Sequence, residues 1–237
     1  SNIIIMSSQE FINISNASAA WSNGVYPALL ETSMQSFANR PLRGPGFLIP
    51  TLERTFAASV CALSALQIEG MLQNIALSLG KDSFRETILK FIPSGKRRVA
   101  VEELFVVRDV ISHGHIYKTT MHLDINGLPK KSHSKKLTAY ASPLFKQVVS
   151  RNKTRLLHLN VNPDRVCFAD AVCALAVVNL TYKQLEKRSA DMPISKFLGL
   201  GYETKYFSDY INDLLDTIDS KHANSVKIML RRVESIK

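Results

Sequence analysis

Three side chains in the stretch VEELFVVRDVISHGHIY (Val101–Tyr117) have the types and spacing to do chemistry together: Arg108, Asp109 and His113. An imidazole titrates near neutral pH and suits proton transfer. A guanidinium never deprotonates, and its planar fork pairs two non-bridging phosphate oxygens. Asp109 and His113 stand four residues apart, so on a helix they are neighbours, and the carboxylate has the reach to fix the imidazole tautomer. Arg108 and His113 fall roughly 140° apart around such a helix, flanking one surface without touching. The same residues also fit an ordinary helix end. His in a last turn followed by Gly114 is a common cap with a favourable dipole contact, and an Arg beside an Asp is most often a solvated pair.

The element that must position them is a helix. Leu104, Val107 and Ile111, with Val106 and Val110 beside them, recur at helical spacing through Ser112 and predict a core-facing side. A second arc collects Arg108, Ser112, Asp109, Glu102 and His113, interrupted by Phe105.

The run Arg108-Asp109-Val110-Ile111-Ser112-His113-Gly114 resembles the signature of the HEPN superfamily (higher eukaryotes and prokaryotes nucleotide-binding domains). In that family an Arg and a polar residue are followed, a few positions on, by a His near a helix end. The gap here is four residues. Asn is the commoner family residue where this chain has Asp109. The resemblance covers the motif helix, and the long helices on either side agree only in style. It implies a metal-independent endoribonuclease without a cofactor. Such cleavage needs a base for the 2′-hydroxyl, a proton for the leaving 5′-oxygen and positive charge at the phosphate. By resemblance His113 moves the proton, Arg108 holds the phosphate and Asp109 orients the imidazole, leaving a 2′,3′-cyclic phosphate and a 5′-hydroxyl. A two-fold homodimer facing two motifs across one cleft is expected. So are the family's roles as toxin or phage-defence effector, with an antitoxin or nucleotidyltransferase as a restraining partner. A second reading is a HEPN-like module that binds RNA or protein without cutting. The two differ in whether Arg108 and His113 stand exposed in a groove or are buried in the cap. A third is an unrelated helical scaffold that docks an acidic partner.

The chain carries 30 Lys and Arg against 20 Asp and Glu, a net charge of +10. Nine of those cations fall between residues 115 and 162: Lys118, Lys130, Lys131, Lys135, Lys136, Lys146, Arg151, Lys153 and Arg155. Asp124 is the sole acid there, so the segment holds a net +8 of the +10. Such a concentration repels itself and calls for a counter-charge, for which RNA phosphate is the candidate, although lysine runs are usually solvated surface. All but Lys146 are RNA-binding candidates. Tyr117, Tyr140 and Phe145 offer stacking faces. The triplet Lys96-Arg97-Arg98, read as lying just before the motif helix, is a weaker RNA candidate.

Along the chain, a helix is expected over Pro27–Asn39 within an N-terminal extension (residues 1–50). A long helix runs from Thr51 to about Leu79, ended by Gly80. Its uncharged core between Arg54 and Glu69 is too short to span a bilayer. A short helix follows over Asp82–Phe91. After the motif helix the period changes to two. Met121–Ile125 leads into an Asn126-Gly127 turn, and Leu157–Val161 alternates as a second strand, so residues 115–162 read as a β-insert. Asp164 is expected to cap a helix running to about Arg188, and helices over Glu203–Ile218 and Lys221–Ser235 close the chain. The fold class is therefore mainly α: a helical bundle with a small basic β-hairpin insert and a C-terminal helical pair, in one HEPN-like domain over residues 51–237.

Cys61, Cys167 and Cys173 lie in apolar helical runs without zinc spacing and read as buried free thiols of a cytoplasmic protein. The first ten residues lack the basic and apolar regions of a signal peptide. His113, His115 and His122 come with no acidic cluster and straddle a helix end, so no metal is expected. No phosphate-binding loop, dinucleotide fingerprint or GxSxG elbow is present.

Overall fold

The computed structural model describes residues 51–78, 80–81, 84–113, 117–127, 129–136, 142–186, 216 and 220–236. The expected Pro27–Asn39 helix, the Gly114 cap and nearly all of the Glu203–Ile218 helix lie outside them. Within them the fold is mainly α, as the sequence predicts.

Helix α1 spans Thr51–Ser78. It ends as its glycine foretells: Gly80 takes φ +63°, and the Lys81 N–H closes back on the Ala76 carbonyl at 2.8 Å, a Schellman closure. With its flanking charges included, the stretch Glu53–Gln73 is apolar and long enough to cross a membrane by length and composition, with half of it buried inside the protein. It forms the centre of the bundle, packed on both α3 (Lys96–His113) and α5 (Phe168–Glu186).

Helix α2 (Arg85–Ile88) and a 3-10 turn (Leu89–Phe91) follow α1, starting three residues later than the sequence suggests. Helix α3 is the motif helix. Lys96, Arg97 and Arg98 form its first turn instead of preceding it. Three cations oppose the helix dipole there. Arg98 offsets this by curling back, its Nε donating to the Ile92 carbonyl at 3.0 Å.

Strands β1 (Tyr117–Leu123) and β2 (Pro129–Lys136) pair antiparallel around the Asn126-Gly127 turn. The Gly127 N–H donates to the Asp124 carbonyl, and the Asp124 carboxylate accepts from the Asn126 N–H at 2.8 Å. The partner of β1 is therefore the lysine-rich PKKSHSKK segment, and Leu157–Val161 is not a strand of this hairpin. Its alternation is real, since Leu157, Leu159 and Val161 are buried while His158 is exposed. Most of its backbone N–H groups, however, are taken by side chains, not by a strand ladder.

After α4 (Pro143–Val148), two-residue strands β3 (Val149–Ser150) and β4 (Lys153–Thr154) make a miniature hairpin. Arg151 and Asn152 turn it with φ +49° and +64°, the left-handed pair that a two-residue hairpin turn requires. Helix α5 is followed by α6 (Ser220–Glu234), which packs against it. Asp164 does not cap α5. Asn162 caps the 3-10 turn at Pro163–Arg165 by accepting from the Asp164 N–H, while Asp164 accepts from Arg54 at 3.0 Å. The α5 start is closed by Asp170, whose carboxylate reaches back to the Cys167 N–H at 2.8 Å, and by Glu53 of α1 on the Phe168 N–H.

Candidate functional site

The motif residues sit on the last two turns of α3, and Phe105 sets the stage for them. This ring is fully buried, and two guanidinium groups lie over it: Arg85 at 5.2 Å and Arg108 at 5.8 Å from its centroid. Phe105 looks like a break in the polar arc when read as sequence, yet in the fold it is the platform beneath that arc.

Two acids balance the two cations. Arg108 Nη1 lies 2.9 Å from Glu69 Oε2 of α1. Arg85 grips Asp109 with both terminal nitrogens, at 2.7 and 3.3 Å, and its Nε is 3.5 Å from Glu69 Oε1. Asp109 is therefore held by Arg85 as well as lying beside Arg108, whose Nε is 2.9 Å from Oδ1 but out of line for a hydrogen bond. The Asp109 hydrogen bond is the largest influence on Arg85 and pushes its pKa up, so its charge is permanent here. Arg108 is 12% exposed, and its Nη2 has no hydrogen-bond acceptor among the described residues. His113 is exposed at the helix end, as is Ser112. The motif is thus split, with an imidazole at the surface and a guanidinium that is mostly buried. A phosphate reaching Arg108 competes with Glu69 for it.

Phe84, just before α2 and next to Arg85, is 71% exposed. An exposed ring one residue from Arg85 is a candidate stacking face. Neither Phe84, Arg85 nor Glu69 stands out in the sequence for this role. The available signal is Glu69, a lone acid ending an uncharged run in a core helix, which needs a buried cation as partner.

The basic candidates fall into two groups. Lys118 on β1 is exposed, and the register sets it opposite Lys135, with His122 opposite Lys131 and Thr120 opposite His133. Positions 118, 120 and 122 therefore share one ribbon face with 131, 133 and 135. Lys130 and Lys136 lie on the same strand β2. Like charges directly across a ladder cost stability. Arg151, Lys153 and Arg155 form the second group, all exposed on the β3–β4 turn and the loop after it.

That loop is pegged by two buried acids that no sequence motif marks. Glu103 of α3 is fully buried and accepts from the Leu156 and Leu157 N–H groups at 2.7 and 2.8 Å. Asp170 of α5, equally buried, accepts from the Asn160 backbone at 3.0 Å and side chain at 2.9 Å. Desolvation is the largest influence on both and raises their pKa, with these hydrogen bonds opposing it.

The expected stacking faces Tyr117 and Phe145 are 8% and 1% exposed and belong to the core. Tyr117 donates its hydroxyl to Asn152 Oδ1 at 3.0 Å, and burial pushes its pKa up to about 12. Tyr140 and His115 lie outside the described residues. Cys61 and Cys173 are buried and Cys167 half-buried, all as free thiols. Burial pushes each thiol up, Cys167 to about 12. Among the described residues no three His, Cys, Asp or Glu side chains converge as a metal-holding set. No protein-family model, no curated protein and no solved structure matches this chain.

Proposed function

We propose that the chain is a metal-independent endoribonuclease of HEPN type that cleaves RNA by attack of the 2′-hydroxyl. The observation that carries this reading is the exposed His113 at the end of α3. It lies five residues beyond a guanidinium held over the Phe105 ring beside a second one. His113 serves as the proton-transfer group. Arg108, with Arg85 behind it, supplies the positive charge that stabilises a developing phosphorane. Asp109 fixes the guanidinium pair and, four residues from His113, borders the imidazole. One motif provides one imidazole, so acid and base together call for a homodimer with two motifs on one cleft. The partners are RNA and a restraining antitoxin or nucleotidyltransferase, and the setting is a cytoplasmic toxin or phage-defence system.

A specific observation favours a second reading. Arg108 is mostly buried and paired with Glu69, an arrangement suited to holding the helix end in shape within a non-catalytic RNA-binding module. Incubation of a mixed RNA pool in EDTA, with product ends mapped, separates the two. The nuclease leaves 2′,3′-cyclic phosphates and loses activity in both His113→Ala and Arg108→Ala while the folded signal persists. Activity abolished by EDTA and restored by a divalent ion overturns the mechanism, and an active His113→Ala protein retires the nuclease reading.

A further inference from the structure

The three non-glycine residues with positive φ among the described residues are Arg151, Asn152 and His158, and all three lie on the second basic group. His and Asn tolerate this region better than most residues, but a cluster of such backbone beside a run of cations marks a surface held in a set shape. Neighbouring side chains extend it in both directions. The Tyr117 hydroxyl on Asn152 joins the turn to the root of the β1–β2 ribbon, where Lys118 is exposed. On the other side burial, and then the charges of Arg232 of α6 and Lys153, hold the His158 imidazole below its ordinary pKa. The two acids behind this loop, Glu103 and Asp170, are buried and engaged with its backbone, so they present no carboxylate at the surface.

We infer that the ribbon, the Arg151 turn, the 153–158 loop and Arg232 form one continuous phosphate-binding track for duplex RNA. Duplex is favoured over single strand because the described aromatic rings of residues 115–162, Tyr117 and Phe145, are buried and offer no stacking face. Single strands are held by unstacked bases on exposed rings, whereas duplex RNA is held by its shape and its phosphates. The exposed ring Phe84 lies outside this segment, next to Arg85 in the sequence. The track needs neither Arg108 nor His113. It rests on the reading that RNA is the partner, but not on whether that RNA is cut.

The test uses the full chain and a fluorescent 2′-O-methyl RNA duplex of about 16 base pairs, compared with its single strand. This probe lacks the attacking hydroxyl, so a failure of the nuclease reading leaves the result unaffected. Anisotropy titrations across a salt series should show tighter binding of the duplex. Lys153→Ser with Arg155→Ser changes two exposed side chains. It should reduce the slope of log K against log salt by up to about 0.9 for each phosphate pairing removed, roughly eightfold in affinity per pairing at 0.1 M salt. Arg232→Ser should weaken binding further in the same salt-dependent way. In an NMR titration the His158 imidazole, held down by desolvation, Arg232 and Lys153, should move to higher pKa when the duplex binds. Tighter binding of the single strand overturns the duplex assignment. Unchanged slopes in both variants, or an unmoved His158, overturn the track.

Discussion

Glu103→Gln tests whether a buried carboxylate of the motif helix organises the basic loop. The wild-type carboxylate accepts two backbone N–H groups, from Leu156 and Leu157, with no exposure to solvent. Hydrogen bonds to a charged acceptor contribute about 1.5–3 kcal/mol each, and a buried donor left unmatched costs about 1–3 kcal/mol. The amide keeps one acceptor and points N–H groups at the other donor, which costs about 2–3 kcal/mol. Part is recovered because a neutral amide escapes the desolvation that raises the Glu103 carboxyl. The expected net loss is therefore about 1–2 kcal/mol, and Glu103→Ala, which strands both donors and opens a cavity, should lose about 3–5 kcal/mol. In urea, with a slope of about 2 kcal/mol/M, the Gln midpoint should fall by roughly 0.5–1 M. A Gln protein as stable as wild type, or an Ala protein within about 1 kcal/mol of it, would mean that Glu103 does not hold the loop.

Stability should also depend on pH through the same pair of acids. Glu103 and Asp170 are raised from ordinary values of 4.5 and 3.8, so the native state holds protons that the unfolded chain has released. Their contribution is complete below those ordinary values and is lost as pH rises through the raised ones. Urea unfolding should thus show a decline above pH about 4.5 that flattens in Glu103→Gln and Asp170→Asn; an unchanged profile counts against burial as the cause. A double-mutant cycle of Arg85→Ala and Asp109→Ala should give a coupling of about 1 kcal/mol, since both side chains are about one-third exposed and solvent screens them; a coupling near zero would mean the pair holds nothing together. Phe84→Ala, at an exposed ring, should leave the unfolding midpoint within error while weakening single-stranded RNA by about 1–3 kcal/mol, and full retention of affinity removes Phe84 from the site.

Period and punctuation make the large helices legible. The Gly80 stop of α1 follows from local chemistry: its positive φ lets the Lys81 N–H close back on the Ala76 carbonyl. Strand β2 is illegible for the opposite reason. PKKSHSKK has no apolar run to alternate, and it is a strand only because β1 and the Asn126-Gly127 turn supply its partner. Leu157–Val161 misleads because burial of every second side chain is a property of any extended segment against a core, whether or not its backbone joins a ladder. The motif is legible as a pattern of types, but its electrostatics are not. Glu69 and Arg85 are 39 and 23 residues before Arg108, and only the packing of α1 and α2 on α3 brings them to it. Spacing on one helix pairs Asp109 with His113 but carries no sign that Arg85, on another element, also lies 2.7 Å from it.

Helix α3 therefore joins two candidate sites that the sequence presents as separate. Glu103 and Arg108 are five residues apart, roughly 140° around the helix, so one side pegs the basic loop while the other carries the charge cluster. An RNA bound along the loop, as proposed, would be referenced to the same helix that carries His113. The arrangement needs no flexible hinge, because both pegs are short hydrogen bonds or ion pairs of side chains with limited exposure: Glu103 to the loop backbone at 2.7 and 2.8 Å, Glu69 to Arg108 at 2.9 Å. A phosphate that draws Arg108 away from Glu69 removes a tie between α1 and α3. Phosphate binding at Arg108 should then loosen the packing of those two helices, seen as faster amide exchange in α1, while the loop stays fixed through Glu103.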